Sequence, residues 1–182
     1  MQSISIYGAL AALLFATSAF SAAQSPYVGQ ETRAIKSLSP QEIEGYLAGK
    51  GMGLAKVAEL NGYPGPAHVL ELAEQLALTT EQRTQTEALF EDMQAKAIAV
   101  GRELIAKERA LDELFAMKAI SVEGLQDALS RIAGLQAQIR AIHLQAHLAQ
   151  VETLSPQQVV RYNEMRGYSH VDKQPAHPHA SH

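Results

Sequence analysis

Residues 78–147 read LTTEQRTQTEALFEDMQAKAIAVGRELIAKERALDELFAMKAISVEGLQDALSRIAGLQAQIRAIHLQAH, and this stretch decides the fold. In its first half, Phe90, Met93, Ala97, Val100, Leu104, Leu111 and Leu114 recur at alternating steps of three and four, skipping Lys107. Such spacing draws one apolar stripe along a helix of about ten turns. The pattern breaks around Ala119-Ile120-Ser121 and resumes with Leu125, Leu129, Ile132, Leu135, Ile139, Ile142 and Ala146. Two long stripes joined by a short connection bury themselves best by folding back on each other. The expected architecture is therefore all-α: a long antiparallel helical hairpin with short helices at its flanks.

The helix starts are written in local chemistry. Thr79 can cap the first long helix, with Gln82 three residues on, and Ser155 and Gln158 repeat the arrangement before a closing helix that runs to about Arg166. Ser39-Pro40-Gln41-Glu42 is a third such start, with Leu38 placed to staple onto Ile43. Its helix ends in Gly49-Lys50-Gly51. A second short helix runs to about Leu60, where Asn61-Gly62 supplies a left-handed stop, and Pro66 opens a third, to about Leu76. The run Gly51-Met52-Gly53-Leu54-Ala55-Lys56 lacks the Lys-Ser/Thr ending of a phosphate loop and reads as a flexible joint. Gln24 to Lys36 is polar and reads as loose chain.

Composition narrows the function. A formal charge of −4, from 15 basic and 19 acidic residues, with no basic stripe, argues against nucleic acid as partner. Cysteine is absent, so disulfides, zinc-thiolate sites, cysteine nucleophiles and cysteine lipidation are all excluded. Ile4 to Phe20 is apolar and precedes Ser21-Ala22-Ala23, which reads as a signal peptide over residues 1–23, although its start carries no Lys or Arg. The run is short for a membrane span, so cleavage near Ala23 and a product without a stable span are expected. The domain plan that follows is an N-terminal extension over 24–65, a hairpin domain over 66–168 and a tail over 169–182. The tail carries His170, His177, His179 and His182 and is expected to be disordered.

The motif Leu-Thr/Ser-x-x-Gln stands at Leu78 to Gln82 and again at Leu154 to Gln158, bracketing the hairpin behind a signal sequence. This arrangement, from about Pro66 to Tyr168, resembles the Spy/CpxP family of periplasmic stress proteins, including its heavy-metal sensor and zinc-resistance-associated branch. The resemblance implies a periplasmic homodimer shaped as a shallow cradle, with no required cofactor. Its implied partners are unfolded client proteins or a membrane signalling protein; in some members a divalent metal is bound.

His143 and His147 lie four apart on the second long helix, so their imidazoles leave one face and could chelate a single zinc, nickel or copper ion. The Glu of a metalloprotease HExxH helix is missing between them. With the turn near Ile120, His147 falls level with Asp92 and Met93, with Glu91 close by. The sensor branch implies such a carboxylate early in the hairpin and a histidine before it, here His68. The plainer alternative is that both imidazoles pack beside the apolar stripe or line a dimer seam. Lys96, Arg102, Lys107, Arg109, Lys118, Arg131 and Arg140, interleaved with apolar residues, would suit weak client binding or simply face solvent. Glu108, Asp112 and Glu113 read as salt-bridge partners, and no nucleophile, base and orienting group converge, so an enzyme is not expected.

Overall fold

The computed structural model describes residues 24–168; residues 1–23, read above as a signal peptide, and the tail 169–182, read as disordered, lie outside the described residues. Among the described residues the chain forms six α-helices: α1 (Pro40–Leu47), α2 (Lys56–Glu59), α3 (Pro66–Glu71), α4 (Thr80–Ala116), α5 (Val122–Thr153) and α6 (Pro156–Met165). A 3-10 turn at Gln30–Thr32 precedes them, and no strand is present among the described residues. α4 and α5, of 37 and 32 residues, pack along each other as the expected hairpin. No described helix is long and apolar enough to cross a membrane.

The stripes meet where periodicity put them. Val100 and Leu104 pack on Ile132, Leu135 and Ile139, and Leu104 is fully buried. Leu129 departs from expectation and is 49% exposed. The inward place one heptad before Leu135 is taken by half-buried Ala128, because a 3.6-residue repeat carries Leu129 to the edge of the face.

All three proposed caps form. Ser39, Thr79 and Ser155 each accept from the backbone N–H three residues on, and Glu42, Gln82 and Gln158 reach back to the cap N–H. The two glutamines also find each other. Gln82 Nε2 donates to Gln158 Oε1 at 2.9 Å and Gln158 Nε2 returns a bond to Gln82 Oε1 at 3.0 Å. Their amides further donate to the carbonyls of Thr153 and Leu76. Leu76, Leu154, Val69 and Tyr162 pack beside this clasp, which ties the base of the hairpin shut.

The N-terminal extension is structured over most of its length. α1 lies on α4, α2 on α5, and α3 touches both. The loose reading of Gln24 to Lys36 fails at its end: Ile35 is fully buried against Leu38 and Ile105, and Lys36 holds Asp112 at 3.0 Å. One apolar residue in a polar run gives no periodic signal, and its partner Ile105 is distant in sequence. α3 stops at Glu71 rather than Leu76. Ala77 is left-handed (φ 50), and Leu78 N–H bonds the Ala73 carbonyl at 3.0 Å, a Schellman-type closure that drops Leu76 and Leu78 into the core.

Close approach of α1 to α4 rests on glycine. A Cβ at Gly101 would stand 2.7 Å from the Tyr46 carbonyl oxygen, with backbone on both sides of the clash. Gly101→Ala is expected to cost about 1–3 kcal/mol as α1 is pushed off. Gly134, with nothing within 4 Å of a built Cβ, sits within α5, so Gly134→Ala is expected to stabilise by about 0.5–1 kcal/mol through helix propensity. Urea denaturation of the two variants should move in opposite directions.

Candidate functional site

The extension roofs a cavity of about 510 Å3 over the half of the hairpin nearer its base. Phe90, Met93 and Gln94 of α4 form one wall, the Ala48–Gly53 loop another, and Ala55, Lys56, Glu59 and residues 65–68 close it above His143 and His147. The loop read as a flexible joint is thus a shaped wall. Met52 and Gly53 take left-handed conformations (φ 43 and 81), and the Met52 thioether lies on Gly45.

Both imidazoles are buried, at 2% and 9% exposure for His143 and His147. His147 Nδ1 is 2.8 Å from the Tyr63 carbonyl oxygen. A carbonyl can only accept, so Nδ1 carries the proton and, in the neutral ring, Nε2 carries the lone pair. The Tyr63 carbonyl is free for this because residues 61–65 are non-helical. Gly65 is needed here, since a Cβ would come within 2.8 Å of the His147 ring. His143 Nε2 is buried with no hydrogen-bond partner.

Burial, and secondarily the nearby His147, pushes the His143 pKa below its ordinary 6.5. The folded protein therefore binds this proton less well than the unfolded chain. Its contribution to stability is intact above pH 6.5 and declines as the pH falls from there toward the lower folded-state pKa. Urea midpoints taken from about pH 8 down to about 5 should show this decline, and His143→Gln should lessen its slope.

The carboxylate at this site is Glu59, the last residue of α2, 9% exposed. Its Oε1 accepts from Tyr162 Oη at 2.6 Å, Tyr168 Oη at 3.2 Å and Arg166 Nε at 3.3 Å. Burial, with help from Glu59, drives the Tyr162 pKa far upward, so that phenol stays a donor. Glu59 Oε2 has no hydrogen-bond partner and lies 3.8 Å from His147 Nδ1. One side chain thus joins the cavity to α6.

Of the residues singled out from sequence, His143 and His147 are brought together and His68 reaches the same cavity, where Glu71 holds it at 3.0 Å. Glu91 and Asp92 are exposed and absent from the cavity wall, and Asp92 pairs with Lys96 at 2.6 Å. The tail histidines lie outside the described residues. Sequence reasoning missed Glu59, Tyr63 and Gly65. The available signal was an acid followed within a few residues by Asn61-Gly62-Tyr63-Pro64-Gly65-Pro66, a run too rich in turn formers to be ordinary linker.

Among the described residues, no three His, Asp or Glu side chains stand in a geometry ready to hold a metal ion. As donors, two imidazoles and a carboxylate suit zinc, nickel or copper better than magnesium or calcium. Comparison with protein families, with curated proteins and with solved structures returns no match to this chain.

Proposed function

We propose that this is a non-enzymatic binding and sensing protein of the periplasm, similar in plan to the Spy/CpxP stress proteins. It acts as a homodimer that engages unfolded clients or a membrane signalling partner. The observation that carries this reading is the apolar tip of the hairpin. Phe115, Met117, Val122 and Leu129 are 53%, 66%, 70% and 49% exposed, beside the charges of Lys118 and Arg131. Apolar groups set among charges favour weak contact with many partners. The purified protein is expected to suppress aggregation of an unrelated denatured protein at near-stoichiometric ratio without metal. A Phe115→Ser/Met117→Ser variant should lose most of that effect. No suppression even at large excess would dismiss client binding.

A second reading is favoured by the imidazole pair. His143 and His147 would bind a divalent metal, with Glu59, which lies on the Nδ1 side of His147, steadying that ring rather than supplying the carboxylate expected of Glu91 or Asp92. His147 has the arrangement usual for a ligand, one ring nitrogen held by a backbone carbonyl and the other bearing its lone pair. Calorimetric titration with zinc, nickel or copper should then show binding that His143→Ala/His147→Ala removes and deletion of residues 169–182 leaves intact. Binding that follows the tail instead would refute it.

A further inference from the structure

We infer that the cavity over His143 and His147 receives a small, largely apolar organic molecule that donates a hydrogen bond, a molecule of the alkylphenol class in size and chemistry. The inference rests on taking this cavity as a ligand site and names what fills it.

Volume argues first. A water molecule occupies about 30 Å3, so an ion with a coordinated water would fill a small part of the 510 Å3. Cavities of roughly 300–1,000 Å3 walled by apolar groups, with a few polar atoms, are the usual form of a small-molecule site. Here Phe90, Met93, Ala48, Ala55, Pro66 and Ala67 supply apolar wall.

Polarity argues second. His147 Nε2 offers a lone pair, because its other nitrogen is committed to the Tyr63 carbonyl. Glu59 Oε2 and His143 Nε2 are also without partners, but both are sealed even from a water molecule and are not reached from the cavity. With Nδ1–H committed to the Tyr63 carbonyl, the lone pair on His147 Nε2 can only accept, so a guest satisfies it by donating. Leaving a buried acceptor unpaired is costly, which sets the preference for O–H or N–H over an ether or a hydrocarbon.

The test uses the full chain, with 4-propylphenol as probe, 4-propylanisole as its non-donating counterpart and zinc alone as the ionic counterpart. Calorimetry and ligand-observed NMR should show one saturable site for the phenol, at least about tenfold tighter than for the anisole. Ala67→Phe, which fills the cavity, should abolish it, with Ala48→Leu as a second filling variant if the first fails to fold. His147→Phe should shrink the preference for phenol over anisole while keeping apolar binding. Equal affinity for phenol and anisole, or binding undiminished by both filling variants, would overturn the proposal. Zinc binding at His143 and His147 with no phenol binding would also overturn it while leaving a ligand site in place. Silence of all probes would remove the ligand site itself.

Discussion

Leu104→Ala is expected to lower folding stability by about 2–5 kcal/mol, the range for emptying a leucine from a packed core. Leu104 is wholly buried and sits among Val100, Ile132, Leu135 and Ile139, so its truncation opens a void in the seam between α4 and α5. The matched control is Leu129→Ala. It deletes the same atoms from a half-exposed place and should cost much less, about 0.5 kcal/mol. Urea unfolding followed by circular dichroism measures both. Equal losses at the two positions would mean that the hairpin does not pack along this seam.

The second large effect is at Glu59. Glu59→Ala leaves the phenols of Tyr162 and Tyr168 and the Arg166 guanidinium without their shared acceptor, and the Tyr162 hydroxyl is deeply buried. A loss of about 2–3 kcal/mol is expected, with Arg166 contributing little because it is partly exposed to solvent. Glu59→Gln keeps an oxygen that can accept from Tyr162 and should cost about 1 kcal/mol. A double-mutant cycle with Tyr162→Phe isolates the contact itself, and a coupling of about 1 kcal/mol or more is expected. Additive losses would show that Glu59 is held by something other than α6.

The hairpin and its caps could be read in advance because their signals are local. Stripe spacing and an oxygen three residues ahead of an amide need no knowledge of what lies across the fold. The extension could not be read in the same way. Its docking depends on Gly101 having no Cβ where Tyr46 arrives and on Ile35 meeting Ile105, neither of which leaves a pattern along the chain. The candidate site was half legible. Counting rises from the turn gives a height along the hairpin, and on that measure Glu91 and Asp92 matched His147. Height says nothing of azimuth, however. Asp92 precedes buried Met93 by one residue and so points about 100° away from the face that Met93 shares with the cavity. The carboxylate beside His147 came from the extension instead.

The interlocked amides of Gln82 and Gln158 carry a consequence for how this chain can vary. Glutamate would serve either helix start equally well as an acceptor, as Glu42 does in α1. Neither position tolerates it here without loss, because each side chain must also donate a hydrogen bond to the other. The identities at 82 and 158 are therefore tied together across 76 residues of chain, and a carboxylate at either would also face a backbone carbonyl, Thr153 for 82 and Leu76 for 158, which no change at the opposite position relieves.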